Sequence, residues 1–266
     1  MTVTLPSPGL GTANVGEFEQ CAETVRRALE MGYRHVDTAQ MYENERAVGA
    51  GIERADVPRE EVFLATKILP DNLSYEDTRR TARESLDRLG VDSVDLLYVH
   101  WPISAYDPEG TLDAFQELYD EGVTDHVGVS NFDSELFEEA ANRLNAPIVA
   151  NQVECHPLLP QDDLRALARD RGHALVAYSP LAGGEILDDP LLSEIAADHD
   201  TSTAAVCLAW AATRESVVPI PKTGGDHLRD NFEAGELTLT DDDLDRIADY
   251  DERLRAIDPD PAPWNQ

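Results

Sequence analysis

Four residues of this chain are of types that together could pass a proton to a carbonyl oxygen. Lys67 stands inside an apolar, strand-like run, VFLATKILP (62–70), in a chain that carries 53 acidic residues against 21 basic ones. It is one of only two lysines, the other being Lys222. Lysine is a compact charge whose pKa shifts readily, whereas a guanidinium is planar and permanently protonated, so the two retained lysines are expected where arginine cannot serve. Asp37 and, five residues on, Tyr42 lie in DTAQMYENE, a spacing that lets a loop fold the phenol back over the end of a preceding strand. A tyrosine has a reference pKa of about 10, so donating a proton near neutrality needs a neighbour that stabilises the phenolate, and an ammonium within ~4–6 Å does this. His100, near the end of VDLLYVHW (94–101), could donate a hydrogen bond to a substrate oxygen and orient it. Taken singly, each has a plainer role: Tyr42 a rim aromatic, His100 a bonded core histidine, Asp37 a cap, the lysines surface charges. Only the set reads as general-acid machinery aimed at a carbonyl.

Such a set must be positioned by the elements around it. Short β-branched runs at 8–12, 33–39, 62–67, 94–101, 126–131, 148–154, 174–180 and 216–221 alternate with helical patterns along the whole chain. Continuous apolar runs of this kind are expected of parallel strands buried on both faces. In EFEQCAETVRRALEMG (17–32), Phe18, Cys21, Ala22, Val25, Ala28 and Leu29 fall at helical spacing on one face, and Gly32 supplies the stop. SYEDTRRTARESLDRLG (74–90) opens on Ser74 with Asp77 three residues on, an acidic variant of the capping box. Further helices are expected over 108–121, 133–144, 161–171, 202–214, 227–233 and 240–254. With no linker or low-complexity stretch, eight strand-helix units in this length predict a single (β/α)₈ barrel domain over residues 1–266. Chemistry in that fold gathers at the C-terminal ends of the strands, and Asp37, Lys67, His100, Asn131, Gln152, Tyr178 and Lys222 all fall there. Asp37 and Lys67, on adjacent strands, would enter one low-dielectric mouth, where an unpaired charge is costly and a pair is tolerated.

Composition bounds partners and habitat. A formal net charge of -32 argues against nucleic-acid or anionic-membrane partners and implies strong self-repulsion in dilute salt. Concentrated salt, with a Debye length of about 3 Å at 1 M, would relieve it, which suggests a halophilic setting. Cys21, Cys155 and Cys207 form no CxxC pair, so reduced thiols in a cytoplasm are expected, with no metal site. No signal-like start and no long apolar span is present, and a monomer is expected. GLGTAN (9–14) begins like a dinucleotide-binding glycine fingerprint but lacks its third glycine and its βαβ context.

As an ordered set, GYRHVDTAQMYENE (32–45), ATK (65–67), VDLLYVHWP (94–102), VGVSNF (127–132), NQVECHP (151–157), AYSPL (177–181) and VPIPK (218–222) resemble the aldo-keto reductases over nearly the whole chain. The resemblance implies a catalytic tetrad in which Tyr42 donates the proton, Lys67 and Asp37 tune it, and His100 positions the carbonyl. It also implies a nicotinamide cofactor that delivers hydride to a small carbonyl substrate. Gly11, Thr12 and Asp37 would lie near the nicotinamide, Tyr178 would stack on it, and Ser130, Asn131 and Gln152 would hold its carboxamide. Ser179, Leu181 and the following AGG resemble the pyrophosphate segment. Lys222 and Thr223 resemble a 2′-phosphate site, and Asp230 and Asn231 an adenine site, with backbone donors expected from a helix starting near Asp226.

Two departures qualify the pattern. His227 stands where many NADPH-preferring members place an arginine, after a loop, TGGD, that is one residue shorter; loss of a bidentate clamp weakens discrimination against NADH. NADP(H) is therefore the expected cofactor, with NAD(H) use possible. Ala13 and Leu69 replace two frequent tryptophans, leaving Trp101 as the expected pocket wall, with no lid from Ser104 to Gly110. Two other functions fit parts of the pattern: a Schiff-base lyase with Lys67 as nucleophile, and a non-catalytic nicotinamide-binding regulatory subunit.

Overall fold

The computed structural model describes residues 3–265. Eight parallel strands follow one another in sequence order: β1 (Leu10–Gly11), β2 (His35–Asp37), β3 (Phe63–Ile68), β4 (Val94–Val99), β5 (Thr124–Ser130), β6 (Ile148–Glu154), β7 (Ala174–Tyr178) and β8 (Val217–Pro219). The sheet closes on itself, since Gly9 and Gly11 donate to the carbonyls of Pro219 and Pro221 at 3.0 and 3.1 Å. A Cβ on Gly11 would stand 2.7 Å from the Ile220 carbonyl oxygen, so closure at this point requires glycine. The chain is thus the expected (β/α)₈ barrel, with helices α1 (Phe18–Met31), α2 (Glu45–Arg54), α3 (Tyr75–Leu89), α4 (Pro108–Asp120), α5 (Ser134–Arg143), α6 (Asp162–Arg171), α7 (Pro190–Asp198), α8 (Thr203–Thr213), α9 (Leu228–Glu233) and α10 (Asp241–Ala248) outside it.

Each apolar run overlaps one strand, although β5 begins at Thr124, two residues before its run, and β3 ends one residue past its own; most expected helices begin and end within a residue or two of the expected bounds. Ser74 accepts from the Asp77 amide at 3.3 Å and Gly90 ends α3 in the left-handed region. Three expectations need correction. Phe18 is 47% exposed, although Cys21, Ala22, Val25, Ala28 and Leu29 are buried. A helical side chain points back toward the N-terminus, so one on the first residue overshoots the end of the helix instead of covering the sheet. The last helix ends at Ala248, not 254. Two helices, α2 and α7, were not foreseen. α2 hides behind Gly49 and Gly51, ordinarily helix-weakening; Cβ atoms there would stand 2.1 Å from the Leu89 carbonyl oxygen and 2.6 Å from that of Ala22, so the glycines let α2 pack closely against its neighbours.

Strand periodicity of two explains what fills the barrel and what caps it. Its interior holds Ala65, Leu96, Tyr98, Ala150, Ala174, Val176, Val218 and Ile220 in one cluster. Continuing the same parity up each strand reaches Lys67, His100, Gln152, Tyr178 and Lys222. Gly128 admits the Tyr98 ring, where a Cβ would lie 2.6 Å from its carbons. The remaining apolar residues form two clusters between sheet and helices.

Candidate active site

At the C-terminal ends of the strands a cavity of about 540 Å³ opens, and its lining includes Asp37, Tyr42, His100, Trp101, Tyr178 and Lys222. Asp37 ends β2 and Lys67 lies near the end of β3, both almost wholly buried. Lys67 Nζ is ion-paired to Asp37 Oδ1, donates to the Thr38 carbonyl at 2.9 Å, and lies 3.4 Å from the Tyr42 hydroxyl. The second Asp37 oxygen accepts from Gln152 Nε2 at 2.7 Å. All three donors of the ammonium are therefore directed, and both carboxylate oxygens are matched, the condition under which a buried pair is tolerated.

Tyr42 is placed by a short 3₁₀ turn, Gln40–Tyr42, which Glu43 closes in the left-handed conformation at φ 54°. The turn is pinned from both sides. Gln40 Nε2 donates to the Thr81 carbonyl and Ser85 Oγ, each at 3.1 Å, while its Oε1 accepts from the Leu69 amide at 2.9 Å and Asn72 Nδ2 at 3.1 Å. Asn44 accepts from Thr38 Oγ1 at 2.9 Å and donates to the Thr12 carbonyl at 2.7 Å. The turn carrying the phenol is consequently fixed by backbone and side-chain groups of α3, of residues 69–72 and of Thr12 and Thr38. His100 meets the Tyr42 ring edge-on, with centroids 5.9 Å apart.

Burial dominates the electrostatics. It lifts the Tyr42 pKa above its ordinary value, opposed by the Lys67 charge and aided by Asp37. Lys67 thus limits the rise without reversing it, whereas sequence reasoning expected a net pull toward neutrality; desolvation of a phenolate outweighs one cation already shared with Asp37. Burial alone would lower Lys67, but Asp37 and Tyr42 together hold it above its ordinary range. His100 is held well below, first by burial and then by Lys67, so its imidazole is neutral near neutral pH.

Of the residues expected to hold a cofactor, Gly11, Thr12, Asp37, Ser130, Asn131, Gln152, Tyr178, Ser179, Leu181 and Lys222 line this cavity. Thr12 Oγ1 donates to the Asp37 carbonyl at 2.9 Å. Asn131, left-handed at φ 62°, donates to the His100 carbonyl at 3.0 Å and accepts from the Tyr178 hydroxyl at 2.8 Å; Ser130 donates to the Gln152 carbonyl at 2.8 Å. Thr223, His227, Asp230 and Asn231 lie outside the lining, along the chain after β8. Thr223 and Asn231 are buried, whereas His227 and Asp230 form an exposed pair at 3.5 Å. The helix expected near Asp226 begins at Leu228.

The lining suits a dinucleotide. Ser179, Ala182, Gly183 and Gly184 all have positive φ, the backbone habit that makes anion-binding concavities. Lys222 stands at the same cavity with no ion-pair partner among the described residues. In a chain of net charge -32, a cavity with a paired carboxylate and a free ammonium is a place where an anion can sit.

Sequence reasoning missed the far wall. Met41, Asn14 and Ile257 line the cavity, and Leu69 does not. Ile257 arrives on the C-terminal segment, held by Glu154, whose two oxygens accept from the Ala256 and Ile257 amides at 2.7 and 2.9 Å. The signal was available: Glu154 is an acidic residue ending an apolar strand, in the same parity as Gln152. Trp101 packs against Trp264 with ring centroids 5.6 Å apart.

Among known proteins, a family model described as "Aldo/keto reductase family" matches residues 9–252. A glyoxal reductase of Bacillus subtilis is 37% identical over 95% of this chain and 92% of its own length. A methylglyoxal reductase of Escherichia coli O157:H7 is 38% identical over 97% of both. The solved structure of a Bombyx mori aldo-keto reductase in complex with NADP superposes with a TM-score of 0.87 at 29% identity, covering 97% of this chain and 93% of that one. A barrel whose mouth joins tyrosine, lysine, aspartate and histidine, matched by a family model over almost its full length, belongs to the aldo/keto reductase family and is an oxidoreductase of carbonyl compounds.

Proposed function

We propose that this chain reduces small aldehydes and ketones with NADP(H) as its preferred cofactor and NAD(H) as a usable one, and that Tyr42 is the general acid. The Tyr42 hydroxyl, on a residue of the cavity wall and 3.4 Å from the Lys67 ammonium that Asp37 pairs behind it, carries this reading. The reduced nicotinamide supplies hydride when bound. Tyr42 gives its proton to the carbonyl oxygen as negative charge develops there. The Lys67 ammonium then stabilises the phenolate, and Asp37 and the Thr38 carbonyl hold that ammonium in place. Neutral His100 orients the substrate oxygen by hydrogen bonding, beside Trp101. Because burial favours the protonated phenol, the acid is loaded before reaction.

The residues that would hold the cofactor are those the sequence pattern implies. Tyr178 would stack on the nicotinamide, and Ser130, Asn131 and Gln152 would hold its carboxamide after exchanging some of their present internal bonds. Gly11 and Thr12 would border that ring, and the segment from Ser179 to Gly184 would receive the pyrophosphate. Lys222 and Thr223 would take the 2′-phosphate, and Asp230 and Asn231 the adenine, with His227 at the rim as a weaker partner than arginine. The glyoxal and methylglyoxal reductases among its relatives support small dicarbonyl substrates. We place the protein as a single-domain monomer of a salt-rich cytoplasm; in the described residues no helix is long and apolar enough to cross a membrane.

A Schiff-base role for Lys67 is disfavoured because its complete burial puts the amine out of reach and its pairing with Asp37 favours the protonated form. Loss of reduced-nicotinamide absorbance, followed in about 1 M potassium chloride with NADPH or NADH and a panel of methylglyoxal, keto sugars and aromatic aldehydes, tests the proposal. Saturable cofactor binding with no turnover on any carbonyl would instead identify a regulatory subunit.

A further inference from the structure

Glu154 is a fully buried carboxylate with no lysine or arginine at hydrogen-bond distance among the described residues. Oε1 accepts from His156 Nε2 at 3.0 Å and from the Ala256 amide at 2.7 Å, and Oε2 accepts from the Ile257 amide at 2.9 Å. β6 is already paired with β5 and β7 through its backbone, so the barrel does not need this side chain. A buried carboxylate is costly unless its oxygens are matched, and here they are matched by two consecutive amides of the C-terminal segment. That segment is otherwise irregular. It is tied to the barrel by the Leu254 amide, which donates to the Leu158 carbonyl at 3.1 Å. Beyond the Glu154 contact it turns back on itself: Trp264 Nε1 and Asn265 Nδ2 both donate to Asp258 Oδ1 at 2.8 Å, and Arg255 lies 4.1 Å over the Trp264 ring. The fold-back sets Trp264 against Trp101 and leaves Ile257 in the cavity lining.

We propose that Glu154 is a positioning residue for substrate selection: by gripping the amides of residues 256 and 257 it holds Ile257 in the cavity lining and, through the fold-back, Trp264 as the backing of Trp101, so that Ile257 and Trp101 form the apolar wall facing small carbonyl substrates. This rests on the carbonyl-reductase reading for its substrate. Of the segment only Ile257 lines the cavity, and neither it nor Trp101 belongs to the Tyr42–Lys67–Asp37 proton path, so the grip acts on substrate binding and not on proton transfer.

Glu154→Gln keeps the shape but turns an NH₂ group toward one of the two amides, a donor against a donor. Native-state trypsin cleavage after Arg253 or Arg255 should then be faster by at least about tenfold, because local opening sets the rate. KM for small carbonyls should rise by about tenfold while kcat moves less than about threefold and NADP⁺ binding, read by fluorescence, is unchanged. Trp264→Ala, which leaves the buried carboxylate intact, should raise KM in the same way. Cleavage at the unaltered rate in Glu154→Gln, or a KM that stays put in both variants, would overturn the proposal, as would a rise in KM accompanied by an equal fall in kcat and weakened cofactor binding. If the unaltered protein reduces no carbonyl, the proposed function fails, and the cleavage rates still decide whether Glu154 grips the segment.

Discussion

Gln152 Nε2 donates at 2.7 Å to the Asp37 oxygen that Lys67 leaves open, joining strands far apart in sequence across the barrel. Asp37 is therefore shared between an ammonium and an amide, and the pair cannot be treated as one isolated ion bridge. Lys67→Met leaves the carboxylate with the amide alone in a dry site. Thermal or denaturant unfolding should show a loss of about 3–5 kcal/mol, together with loss of reductase turnover. Adding Asp37→Asn should recover most of the stability and none of the turnover. A double variant no more stable than the single one would contradict the pairing as described.

Gln40 makes four hydrogen bonds that hold the turn carrying Tyr42. Gln40→Ala should lower kcat by on the order of 10- to 100-fold through misplacement of the phenol, with cofactor affinity preserved in a fluorescence titration. Unchanged kcat would mean that Tyr42 is held by other contacts.

His173 is buried against Phe137, with ring centroids 4.2 Å apart, and its pKa is lowered from 6.5 to about 4, mainly by burial. The unfolded chain therefore takes up a proton below 6.5 that the fold refuses until about pH 4. Its contribution to stability is complete above 6.5 and is lost as pH falls from 6.5 to about 4, to a total of about 3 kcal/mol. His35 and His100, also lowered by burial, act in the same direction. His173→Leu should flatten the fall in denaturant midpoint between pH 7 and 4.5; an unaltered slope would exclude His173 as a contributor.

The second lysine lends itself to a cofactor test. Lys222→Ala should weaken NADPH binding by about 1.5–3 kcal/mol, the range for a hydrogen bond to a charged group, and NADH binding much less. His227→Arg should shift preference the other way, tightening NADPH more than NADH. Calorimetry with each cofactor measures both, and equal changes for the two would misplace the phosphate site.

Much of this was legible in the sequence because it is encoded locally. Strand runs are continuous where both faces are buried, caps such as Ser74 mark helix starts, and the positions of Lys67, His100 and Gln152 at the C-terminal ends of their runs gather them at one mouth. α2 was not legible because Gly49 and Gly51 answer to neighbouring helices, not to helix propensity. Phe18 was misjudged because periodicity gives a face and says nothing about where a helix ends. The Tyr42 shift was misjudged because desolvation depends on everything packed around the phenol. Ile257 enters the cavity lining on a segment held by Glu154, and Trp264 packs behind the lining residue Trp101, contacts between distant segments that leave no periodic trace.

Tyr42→Phe tests the assignment of the proton donor most directly, since it removes one oxygen and little else. Turnover of a small aldehyde should fall by about 10²–10⁴, while NADPH binding, measured separately by fluorescence, stays within a few-fold. Turnover near that of the unaltered protein, with the cofactor bound normally, would contradict Tyr42 as the acid.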